Sequence, residues 1–464
     1  MTIEGEPLAF VGPEIEALLD RQMSRWQVPG AALGIVLDDQ ELVRCAGVTN
    51  VDHPLLVTDR TLFQIGSTTK TMTATLVMQH VAAGELDLDA PLRRYLDIRL
   101  GRDDWAAALT VRHLLTHMSG WDGDHFLMHP VGARGDDALA RLVEALPTMG
   151  LHAPPGALFA YSNANFAVLG RLLEVLRGDA YDRLLRQDLL VPLGMGHTLL
   201  LPDDVVTDRV AVGHHMRDGR PTVARPWALE RAAAAHGGVV TDVRDDLAYL
   251  RFHLGDGRTA TGDRLLPKAL LEEMERPQVG ARSTCLSMGL SWQLDEVDGV
   301  RTVSHGGETN GQLSEIVLVP ARRFGFVVLT NADGGAALSR SLRRHLFRRL
   351  LGLSTDPPPT SRIAPSRQRE FAGDYLGTMR DVVVRRERGT LQAVVRTHAR
   401  PGRQPPDDAA PVELRELDED RVVTGEEPEL DRRGEFIRDE AGVIRWLHWD
   451  GRLLRRADST SPCG

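Results

Sequence analysis

Apolar residues recur at helical spacing over residues 14–25, where Ile15, Leu18, Leu19 and Met23 form one stripe. The period then changes. Apolar runs over 31–37 and 42–46 flank Asp38-Asp39 and predict a β-hairpin. From Gly66 to about Leu200 the helical period dominates. Segments 71–83, 111–116, 138–146, 165–176 and 181–189 are separated by Gly and Pro breaks. Strand patterns return over 286–294, 300–304, 314–319 and 325–330, and a helix follows over 338–350. Strands at both ends with helices between them predict one sheet built from both ends, carrying an inserted helical lobe.

The pattern changes again after residue 353. Residues 354–365 are rich in Pro, Ser and Thr, with Pro357-Pro358-Pro359 at their centre, which predicts a stiff linker. Short strands are then expected at 382–385, 391–396, 412–417, 421–424, 435–438, 443–449 and 452–454, with hairpin signals at 440–442 and Asp450-Gly451. Such spacing predicts a small antiparallel barrel or sandwich. The expected division is a catalytic domain over 1–352, a linker over 353–369 and a barrel over 370–464.

Composition narrows the function classes. The 464 residues are 42% hydrophobic and 26% charged, which excludes a disordered or collagen-like chain. The net charge of −10 is spread along the chain and suggests neither a nucleic-acid nor an anionic-membrane partner. No apolar stretch is long enough for a membrane span, and the first residues, Met1 to Pro7, read unlike a secretory signal. Three distant cysteines, Cys45, Cys285 and Cys463, make no disulfide framework. A cytoplasmic protein is expected.

One count points to chemistry. Of 55 basic residues only Lys70 and Lys268 are lysine. Arginine stays protonated in a protein, whereas lysine can be neutralised when its pKa falls. Lys70 lies three residues after Ser67 at the start of an apolar helix, so the amine and the hydroxyl share a face. With 16 serines and two lysines, a Ser-x-x-Lys pair arises by chance with a probability of about 0.07. A serine hydroxyl is a weak nucleophile that needs an adjacent base. The other reading of this pair is a helix-capping serine beside a surface lysine.

Two further clusters are weaker alone. Tyr161-Ser162-Asn163 offers a hydroxyl for proton transfer and an amide for a substrate carbonyl, or simply a turn beside a buried tyrosine. His305-Gly306-Gly307-Glu308 offers a strand edge that a substrate backbone can approach closely, and a backbone N–H for half an oxyanion hole. His113 and His117 stand at i,i+4, but no Glu or Cys completes a metal-ligand pattern, and they read as structural histidines.

Taken in chain order, Ser67–Lys70, Tyr161–Asn163 and His305–Gly307 resemble the serine β-lactamase and penicillin-binding-protein family, on its class C, D-aminopeptidase and esterase side. The stretches 110–120, 192–195 and 237–242 are similar too, and the resemblance spans about residues 14–350. It implies an α/β (α+β) catalytic domain, with an antiparallel sheet and a helical lobe. It also implies roles: Ser67 as nucleophile, Lys70 and Tyr161 sharing acid and base duty, and Asn163 on the substrate amide. His305, Gly306 and Gly307 would line the site, and the backbone N–H groups of Ser67 and Glu308 would form the oxyanion hole. His305 stands where many relatives carry lysine, which weakens the case for a β-lactam carboxylate as ligand. No cofactor or metal is implied. The tail from Phe371 is similar to the all-β, lipocalin-like barrels appended to some members. Its Trp446, His448 and Trp449 would fill the barrel or cover the site.

The shared reaction is acyl transfer through a Ser67 acyl-enzyme. The leading expectation is a stand-alone peptidyl thioesterase that releases and macrocyclises a nonribosomal peptide delivered by a carrier protein. The alternatives are a D-aminopeptidase, amidase or esterase, and a β-lactamase-like or catalytically silent binding protein. The expected partner is a peptide or small acyl substrate, and oligomeric state is not readable from the sequence.

Overall fold

The computed structural model of the protein describes residues 8–281, 283–355, 359–401, 410–425 and 432–457. Eight antiparallel strands form the main sheet. Their order runs Gln40–Gly47, Gly30–Leu37, Phe324–Thr330, Leu313–Val319, Val300–Glu308, Gln293–Val297, Ser287–Met288, Val279–Gly280. The N-terminal hairpin thus pairs with a strand from the far side of the lobe, Ala31 opposite Thr330 and Leu37 opposite Phe324. The expected sheet built from both ends is what forms.

Both faces of this sheet are covered, which is why Gly30–Leu37 and Phe324–Thr330 read as unbroken apolar runs. Ala31, Leu33 and Ile35 pack with the helices Leu8–Trp26 and Gly335–Leu346 on one side. Ala32 and Val36 face a larger core on the other, shared with helix Val243–Leu254 and the helical lobe. The lobe holds Thr69–Ala82 and Asn163–Arg177 at its centre, both buried over most of their length.

Three local differences from the sequence reading have physical causes. Helix Val243–Leu254 was not anticipated because Asp245, Asp246 and His253 occupy buried positions and break its apolar pattern. The strand expected over 286–294 is interrupted: Gly289 N–H bonds to the Trp292 carbonyl and Ser291 takes a φ of 75°. The helix Pro365–Phe371 begins within the stretch expected as linker, and Ile363 and Phe371 are buried in the C-terminal core. Pro357 and Pro358 of the expected stiff segment lie outside the described residues.

The C-terminal strands, Gly373–Leu376 through Arg452–Arg456, close into an eight-stranded antiparallel barrel, the first strand pairing with the last through Tyr375 and Arg456. Strand Gly373–Leu376 is one the alternation did not reveal. The helix Pro365–Phe371 plugs one end, its Phe371 ring stacked on Phe436 at 4.0 Å. Among the described residues no helix is long and apolar enough to cross a membrane.

Candidate active site

Ser67 sits in a single 3-10 turn, Gly66–Thr68, that runs directly into helix Thr69–Ala82. Helical spacing then brings Lys70 back under it, and Lys70 Nζ lies 2.9 Å from Ser67 Oγ. Lys70 is wholly buried. Its Nζ also donates to Asn163 Oδ1 at 2.8 Å and to the His236 carbonyl at 2.7 Å. Two of these three partners only accept, while the serine hydroxyl can donate. A neutral amine therefore satisfies all three contacts, donating one N–H to Asn163 Oδ1 and one to the His236 carbonyl and accepting the Ser67 O–H. Burial holds the Lys70 pKa well below the usual lysine range, and the Arg452 guanidinium pushes the same way.

The second cluster enters from the start of helix Asn163–Arg177. Burial pushes the pKa of the Tyr161 hydroxyl up to about 12, against the opposing pull of Ser67 and Arg452. A phenol held there is a proton donor at neutral pH. His117 stacks on the Tyr161 ring at 4.2 Å. Its Nδ1 accepts the Ser162 N–H at 3.0 Å, so the neutral ring carries its proton on Nε2. His117 thus fixes the tyrosine it was not expected to touch.

The third cluster lies on strand Val300–Glu308, pressed edge-on against the Ile65–Gly66 backbone. A Cβ on Gly307 would stand 1.8 Å from the Ile65 carbonyl oxygen, and one on Gly66, whose φ is +51°, would stand 2.6 Å from Glu308 N. Glycine at both places lets strand and nucleophile turn share one wall. Ser314 clamps the junction, donating to the Ile65 carbonyl at 2.7 Å and meeting Thr68 Oγ1 at 2.8 Å. Glu308 is exposed and lines the cleft. His305 is buried, and its Nδ1–H donates to the Gly306 carbonyl at 2.7 Å. Burial lowers its pKa to about 3, with Lys70 adding to the fall. His305 is therefore a neutral ring whose Nε2 is a bare acceptor with no partner among the described residues.

Sequence reasoning missed the pair that completes this cluster. Arg452 comes from the barrel's last hairpin. Its Nε donates to Asp124 Oδ2 at 2.6 Å, and its guanidinium lies 4.6 Å from the Tyr161 ring centroid. Asp124 in turn accepts from Asn163 Nδ2 at 3.5 Å. The turn residue before it, Gly451, accepts the Tyr161 backbone N–H at 2.9 Å. On the preceding strand, Ile444–Trp449, His448 meets Ser283 at 2.8 Å and packs edge-on to Phe159. The Asp450-Gly451 turn was legible as a hairpin signal, but nothing local marks it as reaching the site.

Ser67, Tyr161, His305, Gly306, Gly307 and Glu308 share one cleft of about 1320 Å³ with barrel residues Trp449, Asp450 and Arg452. The sequence-predicted residues thus converge. Among the described residues no group of His, Cys, Asp or Glu side chains is arranged to hold a metal ion. His113 instead forms a capping box with Thr110.

Residues 15–350 match the Beta-lactamase family model. Penicillin-binding protein 4 of Amycolatopsis lactamdurans is 37% identical over 340 residues, 72% of this chain and 87% of its own length. The crystal structure of SurE matches with a TM-score of 0.75 at 26% identity, covering 97% of this chain and 99% of that one. That of SurE with D-Leu matches at 0.74, also at 26% identity, covering 97% and 100%. The chain belongs to the beta-lactamase and penicillin-binding-protein family of serine hydrolases, extended by a C-terminal eight-stranded barrel.

Proposed function

We propose that the protein is a peptidyl thioesterase that joins a peptide's acyl end to an amine of the same chain. Neutral Lys70 takes the Ser67 proton as Oγ attacks the thioester carbonyl. The backbone N–H groups of Ser67 and Glu308 receive the oxyanion, and Asn163 holds the substrate amide. The C–S bond breaks, and Tyr161 protonates the departing sulfur. In the second half the amine nitrogen attacks the ester carbon. Its proton passes to the Lys70–Tyr161 pair, and Ser67 leaves with its hydroxyl restored. His305 Nε2, a bare acceptor on the cleft wall, suits the N–H of an incoming amine better than a carboxylate.

The observation that carries this reading is the barrel hairpin laid over Tyr161. An acyl-enzyme meant for an amine must outlast water, and a roofed cleft both excludes water and raises the amine's effective concentration. The likeness to SurE over nearly the whole chain, barrel included, supports it, and the D-Leu held by that protein supports a D-configured acyl donor here. A carrier protein is the proposed source of the thioester. The free Cys45 and Cys285 suit a reducing, cytoplasmic setting.

The test is mass analysis of products from two peptidyl thioesters that differ only in the stereocentre of the acyl-donor residue. Cyclic product with faster turnover of the D epimer is expected. Linear acid as the main product, or equal rates, would transfer the assignment to an amidase or esterase of the same acyl-enzyme chemistry.

A further inference from the structure

Among the described residues, the barrel has one plugged end and one end that opens onto the cleft. Phe371, stacked on Phe436, closes the far end. At the near end the inward-facing layer is small: Ala393 is buried, whereas Val395 and Val412 are only partly covered, and all three line the same cleft as Ser67. Beneath them Leu391, Leu414 and Leu447 fill the lumen, so the opening is a shallow pocket and not a tunnel.

Trp449 forms one wall of this pocket. Its side chain is wholly buried, it lines the cleft, and its indole N–H has no hydrogen-bond partner among the described residues. A buried donor left unpaired carries a free-energy penalty that a ligand acceptor would remove. Trp449 stands two residues before Gly451, whose carbonyl holds the Tyr161 N–H. Two residues of chain span at most about 7 Å, which keeps the pocket close to the turn that holds Tyr161.

We infer that the barrel mouth is a substrate subsite: it takes an aliphatic side chain of the peptide against Ala393, Val395 and Val412, and a backbone carbonyl beside it accepts from Trp449 Nε1. This rests on the peptidyl acyl-transfer reading above for the identity of the ligand. The barrel then selects sequence as well as covering the site.

The full-length protein is assayed with acetyl-X-Y-D-Ala thioesters of N-acetylcysteamine in which X or Y is Leu, Ala or Asp. Each buried methylene is worth about fourfold in binding, so Leu at one of these positions should exceed Ala by about 10- to 60-fold in kcat/KM. Val395→Phe, which fills the pocket, should reduce that preference to about threefold or less. Independently of turnover, the matching peptide amides are titrated into 15N-tryptophan-labelled Ser67→Ala protein, with Trp449→Phe identifying the indole resonance. The Leu amide should move the Trp449 N–H signal and the Asp amide should not. A wild type without preference at either position, a Val395→Phe variant that keeps it, or a stationary Trp449 signal overturns the subsite. If Val395→Phe fails to fold, Val412→Phe tests the same wall. If no thioester is turned over, the acyl-transfer reading falls, and the amide titration alone still decides the subsite.

Discussion

Replacing Arg452 with Met should shift the acid limb of acylation upward by about one pH unit. Lys70 Nζ and Arg452 Cζ lie 5.0 and 4.6 Å from the centroid of the same Tyr161 ring, so the two charges are within about 10 Å of each other. At an effective dielectric of about 20, repulsion across that gap is worth at least about 1.7 kcal/mol, slightly more than one pKa unit. Arg452 lowers the Lys70 pKa and Asp124 raises it. Removing the arginine takes away that downward push and leaves the upward pull of Asp124 uncompensated, so the Lys70 pKa rises. A higher pKa leaves less neutral amine at any pH below it, so acylation on that limb falls about tenfold while the alkaline plateau falls less. The assay is the pH dependence of single-turnover acylation by a small activated ester, followed by intact mass. Adding Asp124→Asn to Arg452→Met should return the limb toward its wild-type position. An Arg452→Met limb within about 0.3 units of wild type, or one displaced downward, would refute the electrostatic argument.

Lys70→Arg should reduce acylation by at least about 10²-fold, since a guanidinium stays protonated and cannot take the Ser67 proton; wild-type labelling rates would remove Lys70 as base. A chain ending at Leu353 should lose at least about tenfold even toward a small ester, because Tyr161 loses its Gly451 partner and Arg452 together. Asp246 is fully buried with neither oxygen hydrogen-bonded among the described residues, and burial raises its pKa well above the carboxylate range. Its neutral form is the one the fold accepts, so it costs stability as pH rises from about 4 toward its raised folded-state pKa, and Asp246→Asn should flatten that dependence in thermal melts between pH 4 and 8.

The parts legible in the sequence are those whose partners lie close along the chain or whose order is distinctive. Ser67 and Lys70 are one helical turn apart, and Tyr161 and Asn163 straddle a single helix start. The sheet was readable because its covered strands are plain apolar runs. What escaped depends on approach in space. Asp124 sits in an irregular loop, and Arg452 is one arginine among many until the barrel docks. Asp246 hid its helix by putting a carboxyl where a core residue was expected, and His117 read as structural because only the fold stacks it on Tyr161.

The docked hairpin also bears on how such chains can be recombined. Tyr161, Asp124 and Arg452 interlock across a boundary that looks, along the sequence, like a join between independent units. Exchanging the barrel for that of a relative exchanges a wall of the candidate site and a charge that adds to burial in lowering the basicity of its lysine. A chimera would keep its chemistry only where the incoming turn returns a carbonyl and a guanidinium to the same two places. The barrel turn and the serine–lysine turn meet in one cluster, so a substitution in the barrel should alter the proton chemistry of the lysine.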